Sequence, residues 1–156
     1  MLLIEKVLML HCSESFRSIP EQELVALASA LEEIYLAAGE TVFSKGDIGK
    51  CMYLISKGRI RIHDGEHILA VLEENDILGE LSVLDAERRS ASATALEEAI
   101  LLKLEQEAFY EIMMSNAEIL RGILKTLCRR LRVLDEKVAG ANVESHPENI
   151  SGSSVL

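Results

Sequence analysis

Hydrophobic positions near the N-terminus recur with the period of an α-helix. Leu24, Leu27, Ala28 and Leu31 are spaced i, i+3, i+4 and i+7, shortly after Pro20. Side chains with this spacing lie on one face of a helix, and a proline followed by acidic residues is typical of a helix N-terminus. The segment therefore predicts an amphipathic helix that buries one face.

The pattern changes between residues 34 and 104, where short apolar runs are separated by glycines. In the clearest run, Ile60 and Ile62 alternate with polar residues, and the apolar pattern resumes at Ile68 after Asp64-Gly65. Alternation with a period of two predicts half-buried strands, and Asp-Gly is a turn signal for a β-hairpin. Many short strands punctuated in this way indicate a β-sandwich or a β-barrel.

The helical period returns at residue 105 and predicts two helices, the first ending near Asn116 and the second reaching Val138. The second helix carries an apolar seam with alternating steps of four and three residues, which is the pattern of a coiled coil. The seam consists of Leu120, Leu124, Leu127, Leu131, Leu134 and Val138. Two interpretations stay open: a homodimer through this seam, or packing of the same leucines against the β unit.

Basic residues are also concentrated on this second helix. They are Arg121, Lys125, Arg129, Arg130 and Arg132. We interpret them as the solvated face of the helix and, secondarily, as a surface for an acidic partner. From residue 139 the chain is polar and aperiodic, so we expect a domain over residues 1–138 and a disordered tail or linker over residues 139–156.

Composition and charge narrow the class of protein. A chain of 156 residues fits one domain, and its formal net charge of −10 opposes binding to a nucleic acid. Cys12, Cys51 and Cys128 form no CxxC pair, so we expect no disulfide framework and no zinc site, and we expect a cytoplasmic protein. The N-terminal run MLLIEKVLML has no basic region before it and is interrupted by charges. It therefore predicts neither a signal peptide nor a membrane span.

One stretch suggests ligand chemistry: residues 79–95, GELSVLDAERRSASATA. Gly79 permits a close approach of the backbone, residues 80–84 fit one helical turn whose free N–H groups would face an anion, and a following arginine can pair with a phosphate. The alternative is a turn glycine, an acid at a helix N-terminus and two solvated arginines. Spacing alone leaves both interpretations open, and it does not choose between Arg88 and Arg89.

The segment LGELSVLDAERRSA resembles the phosphate-binding cassette of the cyclic nucleotide-binding domain family. AAGETVFSKGD and MYLISKGRIRI resemble earlier segments of that family, and AFYEIMMSNAEI resembles its helix after the β-roll. The similarity extends over roughly residues 5–138. It implies a mainly β fold with flanking helices: a jelly-roll-like β-roll, or double-stranded β-helix, between N-terminal helices and a C-terminal helix pair.

The resemblance also implies a binding site. Its members would be Gly79, Glu80, Leu81, Ser82, Arg89, Ser90, Ala91, Leu134 and Asp135. Glu80 would accept a hydrogen bond from the ribose 2′-OH, and Gly79 with nearby backbone amides would meet the cyclic phosphate. Arg89 aligns with the family arginine and would pair with the phosphate, with the Ser90 hydroxyl beside it.

Some positions depart from the family pattern. Leu78 stands where an aromatic residue is usual, Ser82 replaces a small apolar residue, and Arg88 stands where proline is common. Arg88 is therefore expected to be a surface charge. On the C-terminal helix, which lids the base in the family, Leu134 would cover the purine and Asp135 would accept hydrogen bonds from it.

The implied function is a regulatory domain that senses a cyclic nucleotide, with no enzymatic activity and no cofactor. cAMP is the favoured ligand and cGMP the alternative, because Asp135 can accept hydrogen bonds from either base. The C-terminal helix would report occupancy to a partner protein or to another domain of a longer chain. The sequence contains no recognisable kinase, channel or DNA-binding segment, so the effector is unidentified and no direct contact with nucleic acid is expected.

Two alternatives compete with this interpretation. A cupin-type enzyme shares the β-roll and binds a metal through paired histidines, but His63 and His67 flank a turn and fit exposed hairpin residues better. The other alternative is an interaction module that kept the fold and lost the ligand. The presence of both Glu80 and Arg89 argues against it.

Overall fold

The computed structural model describes residues 1–143, apart from the side chains of residues 81, 82 and 141–143. Most of the predicted tail, residues 144–156, lies outside this part of the chain. The helices are α1 (Leu3–Cys12), α2 (Glu21–Ala30), α3 (Gln106–Ser115) and α4 (Ala117–Val143). The strands are β1 (Glu32–Leu36), β2 (Thr41–Phe43), β3 (Ile48–Gly49), β4 (Cys51–Lys57), β5 (Ile60–Asp64), β6 (His67–Leu72), β7 (Ile77–Leu78), β8 (Glu87–Arg88), β9 (Ser92–Ala95) and β10 (Ala99–Glu105).

The strands of this region form two antiparallel four-stranded sheets and a short ladder. One sheet has the order β1-β10-β4-β7, the other has the order β2-β9-β5-β6, and β3 pairs with β8. Strands distant in sequence are neighbours in both sheets, so the chain winds repeatedly from one sheet to the other. The expected jelly-roll-like β-roll, with helices before and after it, is confirmed.

The central strands of the first sheet, β4 and β10, are buried on both faces and divide the apolar core into two clusters. Met52 and Leu54 of β4 pack with the helices, whereas Ile55 packs inside the roll. Alternate residues of a strand point to opposite faces, so one strand supplies both clusters. Ala93 and Ala95 of β9 belong to the roll cluster, where their small side chains occupy little volume.

Helix α2 confirms the periodicity argument. Leu24, Leu27 and Ala28 are fully buried, and they are packed with the cluster beneath the helices. Pro20 is the N-cap, with an extended backbone at ψ 141°, and the helix begins at the next residue. Its carbonyl accepts hydrogen bonds from the amides of Glu23 and Leu24. Pro20 therefore fixes the direction in which the chain enters the helix.

The predicted hairpin is formed by β5 and β6, with Asp64 paired to His67 across a two-residue turn. Gly65 in that turn has φ 60°, a conformation that glycine adopts at little cost. The apolar return strand is less buried than its pattern indicates, since Ile68 is 50% exposed and Leu69 47%. β6 is the last strand of its sheet, so it has a neighbouring strand on one side only.

The two C-terminal helices are present, and α4 extends to Val143, beyond the predicted boundary at residue 138. Ile119 and Ile123 bury one face of α4, whereas Leu131 and Leu134 on the seam are 60% and 51% exposed. These seam leucines do not pack against the roll. None of the helices in residues 1–143 is both long enough and apolar enough to cross a membrane.

Candidate functional site

Residues 79–89 form a corner followed by a short ladder. Gly79 has φ 66°, a left-handed conformation that favours glycine. Glu80–Val83 then form one 3₁₀ turn, which confirms the predicted helical turn. Glu87–Arg88 pairs with β3, and the amide of Arg89 donates to the carbonyl of Asp47 at 2.7 Å. These contacts hold the end of the segment beside its beginning.

The two adjacent arginines have opposite environments. Arg89 is 7% exposed, whereas Arg88 is exposed and donates from Nη1 to the carbonyl of Gly46 at 2.9 Å. Consecutive residues of an extended segment point to opposite sides, so only one of the two faces the interior. Arg89 is the arginine that faces inward, and it is the residue that the resemblance expects to bind the phosphate.

The Arg89 side chain lies between two glycines. A Cβ atom at Gly49 or at Gly79 would overlap its guanidinium group, so both positions have room only for hydrogen. Its Nη2 donates to the carbonyl of Cys51 at 2.8 Å, and its Cζ lies 4.2 Å from the centroid of the Phe43 ring. Burial lowers the pKa of the Arg89 guanidinium, but arginine stays charged in proteins. The site therefore contains a fixed and oriented positive charge.

Glu80 supplies a negative charge at the same corner. Its Oε1 pairs with Nη1 of Arg130 from α4, and its Oε2 accepts a hydrogen bond from the Ser15 hydroxyl. Nη2 of Arg130 also donates to Ser15 Oγ at 3.1 Å. The Glu80 and Arg130 side chains are 24% and 32% exposed. The cluster is thus partly shielded from water and still reachable by a ligand.

Helix α4 is attached to the segment between α1 and α2 by contacts on successive turns. Gly122 lies so close to Ile19 that a Cβ atom would overlap the Ile19 side chain. One turn later, Thr126 Oγ1 donates to the carbonyl of Ser15 at 3.1 Å. Residues 131–140 are all exposed. The first half of α4 is therefore docked, and the second half projects beyond the roll.

The remaining predicted cassette residues lie in different environments. Ala91 is 1% exposed and packs in the roll cluster, whereas Ser90 is exposed. Leu81 and Ser82 belong to the 3₁₀ turn by their backbone, and their side chains lie outside the described residues. The structure therefore brings Gly79, Arg89 and the backbone of this turn into one corner.

The predicted lid residues are not part of that corner. Leu134 and Asp135 are exposed on α4, and the residues of α4 that line the cleft at Glu80 end at Arg130. Because Leu134 follows Arg130 by one helical turn, it lies beyond the docked half of the helix. In this structure the contact between α4 and the cassette is made by Arg130.

Sequence reasoning missed five members of the site: Ser15, Phe43, Gly49, Cys51 and Arg130. The interpretation of Arg130 as a solvated charge is wrong, because its guanidinium pairs with Glu80. A signal for it exists in the sequence. Ile119, Ile123 and Thr126 are buried, and Arg130 follows them with the same alternation of four and three residues. The other four have no comparable signal, because they reach the site only through contacts with segments distant in sequence.

The histidines of the hairpin have structural partners. His63 Nδ1 contacts the carbonyl of Gly65 at 2.8 Å, so this nitrogen is the donor, and Nε2 lies 2.7 Å from Thr94 Oγ1. His67 is exposed. Among the described residues, no three His, Cys, Asp or Glu side chains are grouped as a metal site. Burial raises the pKa of the Cys51 thiol, which disfavours the thiolate that a nucleophile requires.

Comparison with known proteins agrees with this architecture. Residues 33–116 match the cyclic nucleotide-binding domain family. A CRP-like cAMP-activated global transcriptional regulator of Mycobacterium tuberculosis is 30% identical over 129 residues, which cover 80% of this chain and 58% of the relative. A cyclic AMP receptor protein of Thermus thermophilus is 35% identical over 121 residues, which cover 74% of this chain and 56% of the relative. The N-terminal domain of a Streptomyces coelicolor transcriptional regulator has a TM-score of 0.78 at 29% identity, over 83% of this chain and 93% of that domain.

Fold and cassette together define a regulatory β-roll domain. The chain belongs to the cyclic nucleotide-binding domain family. It spans somewhat more than half the length of the two regulators that it resembles.

Proposed function

We propose that this protein is a cAMP-responsive regulatory domain in which the nucleotide changes the attachment of α4. The observation that carries the proposal is the pair of opposite charges at Gly79: the buried guanidinium of Arg89 and the carboxylate of Glu80. A cyclic nucleotide presents a phosphate anion and, on the same ribose, a hydroxyl donor. The two charges complement these two groups.

The cyclic phosphate would pair with Arg89. The guanidinium is already oriented by the Cys51 carbonyl and the Phe43 ring, so little side-chain entropy is lost when the anion arrives. Hydrogen bonds to charged groups contribute about 1.5–3 kcal/mol each. Backbone amides of the turn Glu80–Val83 would add donors to the same anion, because the first N–H groups of a helical turn have no partner within it.

The ribose 2′-OH would replace the Ser15 hydroxyl at Glu80. Both groups are hydroxyl donors, and Ser15 already occupies Oε2 of Glu80. Arg130 would remain on Oε1, where it keeps the carboxylate charged and oriented. The exchange conserves the number of hydrogen bonds to Glu80, so its carboxylate keeps its donors. The cost of the exchange is that the buried Ser15 hydroxyl gives up its acceptor.

This exchange would carry the signal to α4. Ser15 accepts a hydrogen bond from Thr126 through its carbonyl and one from Arg130 through its hydroxyl. Removing Ser15 from Glu80 therefore alters the contact by which α4 is attached. A ligand that binds one arrangement of the helix better shifts the population toward it. In the liganded arrangement, Leu134 and Asp135 would contact the base.

cAMP is the favoured ligand because the two regulators compared above are named for cAMP, and cGMP is the alternative. We further propose a homodimer through the seam of α4, since Leu124, Leu131 and Leu134 are at least half exposed. The output would pass to a partner protein or to another domain. Cys12, Cys51 and Cys128 are free thiols, which suits a reducing cytoplasm.

Calorimetric titration with cAMP, cGMP and 2′-deoxy-cAMP tests the proposal. We expect saturable binding of cAMP, weaker binding of cGMP, and weaker binding of 2′-deoxy-cAMP because it cannot reach Glu80. At a concentration of about 100 times Kd, cAMP should stabilise the fold by about 2.7 kcal/mol. Absence of both heat and a thermal shift with cAMP and cGMP at about 1 mM would contradict the proposal.

A further inference from the structure

A groove of about 460 Å³ lies beside α4 and is rich in positive charge. Four of its seven lining residues are basic: Arg121, Lys125, Arg129 and Arg132. Ser18, Leu124 and Cys128 complete its lining. The described parts of the cassette corner do not contribute to this groove, so the nucleotide site proposed above does not account for it.

The groove differs sharply in charge from the rest of the chain. The formal net charge is −10, and without these four cations it would be −14. Arg121 pairs with Glu118 at 3.5 Å, and Arg129 donates to the Ser18 hydroxyl. Lys125 and Arg132 have no ion-pair partner among the described residues. Three of the four cations are therefore available for a ligand without breaking a salt bridge, and Arg129 would give up only its hydrogen bond to Ser18.

The basic side of α4 is separate from its other two faces. With about 100° between successive residues, Lys125 and Arg132 lie within a narrow angle of each other. They lie more than a quarter-turn from the seam position Leu131, and on the far side from the docked residue Arg130. A partner in the groove would leave both the Glu80 contact and most of the seam uncovered.

We propose that this groove binds an extended acidic segment of a partner protein. Cations four residues apart on a helix are separated by about 6 Å along its axis, and alternate residues of an extended peptide are separated by about 6.6 Å. An acid at every second position therefore meets successive cations. Arg121 to Arg132 spans about 17 Å, the length of five or six extended residues. Leu124 and Cys128 provide an apolar floor for the stems of the acidic side chains.

The surroundings favour a peptide over larger polyanions. A nucleic acid or an anionic membrane would extend well beyond the groove and meet a surface of strongly negative net charge. Like charges repel each other within the Debye length, which is about 8 Å at physiological salt. A short acidic segment can satisfy the cations while its flanking residues avoid that repulsion. The proposal does not depend on nucleotide binding.

Fluorescence anisotropy of the full chain without nucleotide tests the proposal. The probe is a labelled octapeptide with glutamate and serine in alternation. One control peptide has the same composition with the four glutamates in a block, and a second has glutamine in place of glutamate. We expect saturable binding of the alternating peptide, binding that is several-fold weaker for the block peptide, and none for the glutamine peptide.

Matched variants locate the binding. Lys125→Glu with Arg132→Glu should weaken binding by about tenfold or more, because two attractive pairs become repulsive. Lys57→Glu with Lys137→Glu makes the same change in net charge at exposed residues outside the groove, and should weaken binding by less than about twofold. Circular dichroism and thermal melts confirm folding, and Lys125→Gln with Arg132→Gln replaces the first pair if that variant unfolds.

Several results would overturn the proposal. These are no saturable binding at about 1 mM peptide, equal weakening by the two variant pairs, and equal affinity for the alternating and block peptides. Tighter, groove-dependent binding of an oligonucleotide or of phosphatidylserine vesicles would assign the groove to a different partner. Self-association that only the groove variants abolish would assign it to a second copy of the chain.

Discussion

The carboxylate of Glu80 is paired with the guanidinium of Arg130, which follows it by fifty residues and reaches it from α4. Glu80, which would accept a hydrogen bond from the ribose, is therefore already bound to the C-terminal helix. Ser15 joins the two, since its hydroxyl contacts both side chains. This cluster gives a physical route between the cassette and α4, because any group that binds Glu80 changes the surroundings of Arg130.

Replacing Arg130 by methionine should weaken cAMP binding by about three- to tenfold, which corresponds to a partly exposed ion pair. Without Arg130, the Glu80 carboxylate loses the partner that orients it. Arg121→Met is the matched control on the same helix, because Arg121 is 65% exposed and pairs with Glu118. Calorimetric titration measures the affinity of both variants for cAMP. Tighter binding by the Arg130 variant would mean that Arg130 competes with the ribose.

Replacing Ser15 by alanine should strengthen cAMP binding by about three- to tenfold, because the ribose hydroxyl no longer displaces a bonded serine. The affinity for 2′-deoxy-cAMP should not change, since that ligand does not compete for Glu80. Ser13→Ala is the control: Ser13 is also buried, and its hydroxyl donates to the carbonyl of Leu10. An equal gain in affinity for cAMP and for 2′-deoxy-cAMP would refute the proposed exchange of the Ser15 hydroxyl for the ribose hydroxyl.

Arg89→Ala should weaken cAMP binding by between about ten- and several-hundred-fold, because it removes charge-assisted hydrogen bonds to the phosphate. Arg88→Ala should change affinity by less than about twofold, since the Arg88 side chain is exposed and directed to Gly46. Calorimetric titration of both variants with cAMP decides which of the two arginines binds the phosphate. A larger loss for Arg88→Ala would place the cassette one residue out of register.

Gly79→Ala should destabilise the fold more than Gly39→Ala. Both glycines have positive φ, 66° and 86°, so the backbone strain of about 1 kcal/mol or more is shared. At Gly39 nothing lies within 4 Å of an added Cβ, whereas at Gly79 that atom would overlap Arg89 and lie 2.9 Å from the carbonyl of Cys51. We expect an additional loss of about 1–3 kcal/mol in urea unfolding. An equal loss in the free energy of unfolding for the two variants would show that the Arg89 side chain moves aside without cost.

Light scattering should detect a dimer that Leu131→Glu with Leu134→Glu converts to a monomer. Both leucines are exposed in the protomer, so the substitution adds charge only where a second helix would pack. Lys137→Glu on the same helix is the control, because Lys137 lies off the seam. A monomer for the unmodified chain at all concentrations would contradict the proposed dimer.

Much of the local structure was predictable. The spacing of Leu24, Leu27 and Ala28 predicted α2, and the alternation at Ile60 and Ile62 predicted β5. Such patterns work because burial of one face repeats with the period of the element itself. Burial of the return strand was not predictable in the same way. Ile68 is apolar and half exposed because β6 lies at the sheet edge, which only the strand order decides.

The sequence by itself determined α2, the β5–β6 hairpin, the presence of two C-terminal helices and the turn at residues 80–83, and the family register gave the expectation that Arg89 rather than Arg88 meets the phosphate. These depend on neighbours within a few residues. Only the tertiary structure decided what surrounds the two charged groups. Phe43, Gly49 and Cys51 enclose Arg89, and Ser15 with Arg130 engages Glu80. These partners come from separate elements, and their contacts exist only once both sheets and α4 have packed.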